Sequence, residues 1–379
     1  MFLTLPQLVL FGVISQFLFL ILLCIAPSKT RRLPRLLLAL MLAGLVGTLL
    51  EVFLHTTGLA FSYPDTAFTG TILGMLQPGA IFVYAQSVMY RDFRLRLRHL
   101  AHLLPVLGAI VVFTLGYYSL PAKAQAKMLS DSHYPGVMDS VVLAIVLHGI
   151  VLGYLVATLK KISRFGVELR NIFSDLGNKE LSWLRNLLLA YGTAWSLSLV
   201  YCLLAHVMRV PGVHQSLTIA TTMVSVVVLL PMSVLAFRQP TLFAGIAPTL
   251  LDTEAPSGAN AKDRSPEPLT SRIEQVMEQH QPYLHSNLTV DRLARLADVA
   301  PRELSQFLNQ QMGKNFYEFV NGYRIEHARR RLADPAETTT ITDIMYESGF
   351  NSKSVFNTLF RKTTGKTPSQ YRHSFANNG

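Results

Sequence analysis

Seven stretches of twenty or more predominantly apolar residues follow one another along the first part of the chain, at approximately 5–26, 36–57, 67–90, 100–120, 139–159, 186–208 and 213–237. About 20 such residues in helical form cover the ~30 Å hydrocarbon core of a bilayer. A helix satisfies its own backbone there, which an irregular segment facing lipid cannot do. The runs therefore predict that residues 1–238 form a polytopic transmembrane helical bundle. Composition agrees: 50% of the residues are hydrophobic and only 15% charged, against about 25% charged in ordinary soluble domains. The first stretch lacks a basic leader and a small-residue cleavage site, so it reads as a retained span rather than a signal peptide.

Charge is distributed unevenly. Residues 1–238 hold 18 Lys and Arg against 8 Asp and Glu, residues 239–269 hold 2 against 4, and residues 270–379 hold 14 against 11. The net charge of +11 thus arises mainly in the apolar part, and basicity by itself does not indicate nucleic-acid binding. Where the basic residues fall is more informative, because Lys and Arg accumulate in cytoplasmic loops. The first, third and fifth loops hold 14 of them (Lys29, Arg31, Arg32, Arg35; Arg91, Arg94, Arg96, Arg98; Lys160, Lys161, Arg164, Arg170, Lys179, Arg185), and the even loops only Lys123, Lys127 and Arg209. The expected topology has the N-terminus outside a bacterial inner membrane and, after seven spans, the C-terminal part in the cytoplasm.

Ionisable groups inside spans are costly and invite a functional reading. Glu51 and His55 stand four apart on the second stretch, hence on one helix face, and His148 lies mid-way along the fifth. Together they are the candidate lining of a sensing pocket for a small lipophilic or extracytoplasmic ligand; the alternative is an interhelical hydrogen-bond network. Gly70/Gly74 and Gly149/Gly153 have the spacing that allows close helix approach. The two cysteines, Cys24 and Cys202, lie in separate apolar runs and suggest neither a disulfide framework nor a zinc site. The last stretch has no lysine for a retinal Schiff base. No enzyme, metal or cofactor motif is present, and no cofactor is expected.

At Gln239 the character changes. Residues 239–269 are rich in Pro, Gly and Ser and read as a flexible connector; ~30 residues give a root-mean-square reach of about 30 Å. Residues 270–379 then show the periodicity of short amphipathic helices. A helix is predicted over 272–280. Thr289 caps another over 290–297, with Asp291 in its first turn. Asp298 and Val299 turn the chain, and Pro301 opens a helix to about Gln311 with Leu304, Phe307 and Leu308 inward. A longer helix covers 315–333. The pattern then repeats, with a helix over 341–347, Gly349 as terminator, Ser352 as cap, a helix to Arg361 around Val355, Phe356 and Phe360, and a last helix from Pro368. Helix, short turn and helix form the unit that presents its second helix to a DNA major groove. The two recognition helices start at Ala300 and Ser352, 52 positions apart.

The segment from Tyr283 to Arg372, above all ITDIMYESGFNSKSVFNTLFRKTTGKTPSQYR at 341–372, resembles the DNA-binding domain of AraC/XylS-type transcription regulators. The resemblance implies a soluble double helix-turn-helix domain that binds double-stranded DNA sequence-specifically, commonly as an activator touching RNA polymerase. By position it implies base reading by Arg302, Ser305 and Gln306 from the first unit, and by Lys353, Ser354, Asn357 and Thr358 from the second. Arg361, Lys362, Lys366 and Arg372 would contact phosphates. The first unit departs from the family pattern: Asp298 stands at the turn glycine, Ala300 at the capping serine, and Gln306 and Asn309 where basic residues are usual. The run Arg329–Arg331 reads as a solvated helix face, with phosphate contact as the alternative.

The expected architecture is all-α: a seven-helix membrane domain (1–238), a connector (239–269) and a double helix-turn-helix domain (270–379). The expected function is membrane-tethered transcription regulation driven by a signal sensed in or across the bilayer, with membrane lipid, DNA, RNA polymerase and a second copy of the chain as partners. Two alternatives stay open at this level: a passive anchor regulated by location or proteolysis, and a membrane enzyme or transporter fused to its regulator.

Overall fold

The computed structural model describes residues 3–27, 31–90, 92–131, 141–177, 181–208 and 268–376. The chain forms two compact units, one of Met1–Ser163 with Leu181–Ala247 and one of Arg164–Glu180 with Pro248–Gly379. Among the described residues the secondary structure is helical, with an isolated backbone bridge between Phe173 and Thr289.

The first unit contains α1 (Leu5–Ile25), α2 (Arg32–Thr56), α3 (Leu59–Ser62), α4 (Thr69–Gly74), α5 (Leu76–Met89), α6 (Leu104–Phe113), α7 (Ala122–Asp131), α8 (Val141–Ile172, whose last turns belong to the second unit) and α9 (Ser182–Met208). Six segments are long and apolar enough to cross a membrane: Leu5–Ile25, Arg32–Thr56, Pro64–Met89, Leu97–Tyr118, Val142–Ile172 and Ser182–Leu204. They coincide with the first six predicted stretches. The seventh, at 213–237, and the connector up to 267 lie outside the described residues.

Two of the six are interrupted. The third breaks at Met75, between α4 and α5. Pro78 follows there and cannot donate to the carbonyl of Gly74, so a regular turn cannot run through. The fourth runs from a 3-10 helix (Leu97–Leu103) through α6 into a wide turn over Thr114–Tyr118.

Besides its buried apolar side chains, this unit is joined by close approach at small residues and by polar cross-links between helices. A Cβ on Gly70 would stand 2.2 Å from the Gly47 carbonyl oxygen, so Gly70 allows α4 to lie directly on α2. Gly149 and Gly153 meet nothing within 4 Å; of the two glycine pairs, only the first serves close approach among the described residues. Buried Gln77 accepts from Tyr191 Oη at 2.9 Å, joining α5 to α9. Gln7 Nε2 reaches the Thr56 carbonyl at 2.7 Å, and Arg31 Nη1 the Ser87 carbonyl at 2.8 Å. The outward faces are apolar: Leu5, Leu115 and Leu104 are 75%, 73% and 65% exposed. Soluble monomers rarely expose contiguous apolar patches above a few hundred Å².

The second unit contains α10 (Leu269–Gln279), α11 (Val290–Leu296), α12 (Pro301–Gln306), α13 (Phe316–Ala333), α14 (Ile341–Glu347), α15 (Lys353–Thr364) and α16 (Pro368–Ala376). It has two cores sharing one helix. Phe316, Phe319 and Val320, from the first half of α13, pack with Ile273, Met277, Leu293, Leu304 and Leu308. Ile325, Ala328 and Leu332, from its second half, pack with Ile344, Met345, Phe356 and Phe360. The Asn315 side chain accepts from the Glu318 N–H at 2.9 Å and the Glu318 carboxylate from the Asn315 N–H at 3.1 Å, a reciprocal cap that fixes where α13 begins.

The predicted helix over 301–311 is α-helical only to Gln306 and then widens into a π turn at Phe307–Gln311. The N–H of Met312 reaches five residues back, to the Phe307 carbonyl at 3.3 Å. Phe307 and Leu308, at its start, both enter the core on the face begun by Leu304.

Candidate nucleic-acid interface

Each half of the second unit presents a helix by the same local device. In the first, Thr289 caps α11, its Oγ1 accepting from the Arg292 N–H at 3.3 Å. The chain then reverses through Asp298, whose φ of 50° is left-handed, and the Val299 N–H bonds the Ala294 carbonyl at 3.0 Å. In the second, Thr340 caps α14, its Oγ1 accepting from the Asp343 N–H at 3.1 Å. Gly349 turns at φ 84°, and the Phe350 N–H bonds the Met345 carbonyl at 3.1 Å. Both reversals close the same five-residue-back hydrogen bond that terminates a helix in a left-handed residue. Asp298 thus fills the role of the turn glycine, which its short polar side chain allows. Gly349 has no such freedom, since a Cβ there would lie 2.5 Å from the Tyr283 carbonyl oxygen.

The helices so presented are α12 and α15. Leu304 fixes α12 to the core, with Arg302 and Gln306 exposed and Ser305 half-buried. Ser305 also accepts from Asn309 Nδ2, at its carbonyl (2.9 Å) and its Oγ (3.5 Å). No side-chain cap bonds at Ala300, where Pro301 supplies the helix start instead. Ser352 caps α15, Oγ accepting from the Val355 N–H at 3.4 Å. Phe356 and Phe360 anchor α15, leaving Lys353, Ser354, Asn357 and Thr358 on one exposed face. Arg361 and Lys362 in its last turn are exposed, as is Lys366 beyond it. Arg372 differs: it is half-buried, and its Nη2 donates to the Thr339 carbonyl at 2.7 Å, tying α16 to the entrance of α14.

The run at the end of α13 is ion-paired. Arg329 and Arg330 both reach Glu326, at 2.7 and 3.0 Å, while Arg331 holds Glu337 at 2.7 Å and pairs with Glu347. These bonds hold the Glu337 carboxyl down at about 2 and push the Arg329 guanidinium above its usual range.

Sequence reasoning passed over a second charged group. Arg324 is 1% exposed. Its guanidinium donates to the carbonyls of Tyr283 (2.7 Å), His285 (2.9 Å) and Ser174 (3.1 Å) and to Ser174 Oγ (2.9 Å). Burial pulls its pKa down to about 10, opposed by the Asp175 carboxylate, so it is charged at neutral pH. One signal was available: Arg324 lies on the buried face of α13 beside Val320, Ile325 and Ala328, where an unpartnered charge is not tolerated.

The candidate sensing residues do not meet one another among the described residues. Glu51 accepts from the Thr71 N–H at 2.5 Å and from Thr71 Oγ1 at 3.1 Å, joining α2 to α4. His55 lies edge-on to Phe61, ring centres 6.3 Å apart. His148 bonds the Ala144 carbonyl at 2.8 Å and Ser198 Oγ at 3.3 Å, joining α8 to α9, with Trp195 edge-on at 5.1 Å. No cluster of three or more potential metal ligands occurs among the described residues.

A helix-turn-helix domain model matches residues 293–374. An uncharacterized HTH-type transcriptional regulator of Staphylococcus aureus strain COL is 34% identical over 101 residues, covering 27% of this chain and 13% of that protein. The HTH-type transcriptional regulator GlxA of Rhizobium meliloti is 31% identical over 97 residues, 26% of this chain and 29% of its own length. The chain thus spans less than a third of the length of these relatives. No solved structure matches it. Residues 293–374 are an AraC-type helix-turn-helix domain, carried by a chain whose N-terminal region is built of several apolar helices.

Proposed function

We propose that the chain is a one-component transcription regulator anchored in the cytoplasmic membrane, in which α12 and α15 read base edges and the apolar helices hold the protein in the bilayer and sense a signal there. The observation that carries this reading is the pair of exposed polar helix faces, each presented by the same capped and reversed turn within an AraC-type domain. Arg302 and Lys353 suit guanine, Gln306 and Asn357 suit adenine, and Ser305, Ser354 and Thr358 complete the two faces. Arg361, Lys362 and Lys366 are placed for phosphates, which set register rather than sequence. Arg372 joins them with the part of its guanidinium not used on Thr339.

Anchoring is supported by six spanning-length helices with exposed apolar faces. The bias of 14 basic residues to 3 between odd and even loops supports a cytoplasmic C-terminus. The organisation proposed is a membrane domain to residue 238, a connector over 239–269 and the DNA-binding domain beyond. Glu51, His55 and His148 are assigned to sensing because each lies in a segment of spanning length, where a polar group is costly. Their contacts also join helix pairs that a small lipophilic or extracytoplasmic ligand can rearrange. RNA polymerase and a second copy of the chain are the proposed protein partners.

Genome-wide mapping of DNA bound to the full-length protein in cells tests the core of the proposal. Recovery of a shared two-part sequence is the expected result, and recovery of DNA without sequence preference refutes it. A reporter fused after residue 376 that is active only outside the cytoplasm would refute the topology.

A further inference from the structure

The segment that follows α8 is not a free loop. It is gripped by the DNA-binding unit at several points, all within about four residues. Ile172 is buried in the core shared by α10, α11, α12 and the first half of α13, and Phe173 packs against that core. Phe173 pairs with Thr289, the cap of α11, in an antiparallel backbone bridge. The Ser174 N–H and Oγ both donate to the Leu288 carbonyl, at 3.2 and 2.7 Å. The Ser174 carbonyl accepts from Asn321 Nδ2 and Arg324 Nη1, both at 3.1 Å, and its Oγ accepts from Arg324 Nη2 at 2.9 Å. Asp175 Oδ2 then accepts from Asn351 Nδ2 at 3.0 Å, one residue before the cap of α15.

Three parts of the domain are therefore held by one short strand: the entrance to the first helix-turn-helix, the middle of α13 that joins the two cores, and the turn in front of the second recognition helix. Ser174 is fully buried, 1% exposed, and every polar atom of its peptide N–H, carbonyl and hydroxyl has a partner. Incidental surface contacts do not bury and saturate a serine in this way. Reading adjacent major grooves requires two recognition helices at a fixed separation of about 34 Å, and the residues bound here are the ones at the joint between the two units.

We infer that residues 172–176, continuing from the end of α8 at Ile172, are an intrachain docking strand that fixes the spacing of the two recognition helices. The inference rests on the DNA-binding reading above and names the regulatory contact of that same site. Its consequence is specific. Undocking leaves each recognition helix intact, so binding to either half of the operator persists. It lowers the effective concentration of one unit at its half-site once the other is bound, so binding to the complete two-part operator weakens.

The test uses the full-length protein in detergent or nanodiscs and operator DNA taken from the genome-wide mapping. Ser174→Val removes the hydroxyl contacts to Leu288 and Arg324, and Asp175→Ala removes the contact to Asn351. The double variant is compared with the wild type on the complete operator and on operators with one half randomised. The expected result is about tenfold weaker binding to the complete operator, with binding to each half-operator unchanged. Unchanged binding to the complete operator overturns the inference, and so does equal loss on complete and half operators, which would mark a general folding defect. As an independent measurement, Phe173→Cys and Thr289→Cys are combined with Cys24→Ala and Cys202→Ala. Residues paired across an antiparallel bridge are close enough for a disulfide. Cross-linking in membranes with operator bound is expected, and its absence sinks the docking strand. If the wild type itself shows no sequence preference, the DNA-binding reading fails instead, while the cross-link still reports on docking.

Discussion

Replacing Arg324 by Leu is the sharpest test of how the DNA-binding unit is held together. Four of its hydrogen bonds are 3.1 Å or shorter, to Tyr283, His285 and Ser174 (twice). Bonds from a charged donor contribute about 1.5–3 kcal/mol each, which sets a gross loss of about 6–12 kcal/mol. Burying the charge offsets part of that. A guanidinium held at about 10 rather than 12.5 costs the folded state about 3 kcal/mol. The leucine also returns some apolar burial, about 1.5–3 kcal/mol for a side chain of this size. The balance spans about 0–7 kcal/mol and centres near 3–4 kcal/mol of destabilisation, close to what is seen when a buried charge is removed and its partners are left unpaired. Arg324→Lys keeps the charge but not the planar fork, and should recover only part of the loss.

The only two tryptophans, Trp183 and Trp195, lie in α9, so their fluorescence does not report on this unit. Pulse proteolysis in urea, followed through a C-terminal tag on the detergent-solubilised protein, does. With a urea dependence of about 1–3 kcal/mol per molar, the midpoint should fall by at least 1 M. A midpoint within 0.2 M of wild type, corresponding to about 0.5 kcal/mol or less, would refute the reasoning: the apolar replacement would then be as good as the network, as some buried ion pairs have proved to be.

Other consequences are smaller. Lys353→Ala or Asn357→Ala should weaken operator binding by about 1–3 kcal/mol and leave random-sequence DNA unaffected, measured by competition on both DNAs; equal loss on both would contradict base reading. Ser352→Ala removes the cap of α15 and should lower stability of the unit by about 1 kcal/mol, read as a shift in the same urea midpoint. His327, bonded to Ser348 Oγ at 3.0 Å, has its pKa lowered first by burial and then by Arg331 and Arg330, against an opposing pull from Glu347. The unfolded chain binds that proton near pH 6.5 and the folded one only below it, so stability is complete above about 6.5 and falls as pH drops beneath it. His327→Gln should flatten the urea midpoint between pH 7.5 and 5.5, and an unchanged slope would remove His327 as the cause.

The helix-turn-helix units were legible in the sequence because their boundaries are set locally. Thr289, Ser352 and Asn315 cap with side chains that reach three residues ahead, and Asp298 and Gly349 reverse the chain within a turn. None of these needs a distant partner. The π turn at Phe307–Gln311 was not legible: Leu304, Phe307 and Leu308 keep the spacing of a regular helix face, so the pattern predicts a helix that continues unwidened. The break at Met75 is also set locally, by Pro78 three residues on. Least legible was the clasp between Ser174 and Arg324, 150 positions apart. Ser174 sits between Phe173 and Asp175 in what reads as an ordinary polar loop, and nothing within a few residues of it announces a buried partner.

Under the proposed function the two recognition helices also divide their labour. On α12 the exposed cation is Arg302, whereas α15 and the residues after it offer Lys353, Arg361, Lys362 and Lys366. Under the proposed reading the phosphate contacts, Arg361, Lys362, Lys366 and Arg372, all come from the second unit. If four cations contact phosphates, log affinity falls with log salt at a slope of about −3.6, shallow beside strongly basic binders, and the net +3 of residues 270–379 agrees with a modest electrostatic pull. A domain that is weakly held by charge depends on both helices engaging their half-sites at once. Small changes at the joint between the units then have large effects on occupancy, because they alter the coupling of two weak contacts rather than the strength of one strong contact. Under the docking-strand inference, a joint clasped by Ser174, Asn321, Arg324 and Asn351 is where such a regulator would be most sensitive.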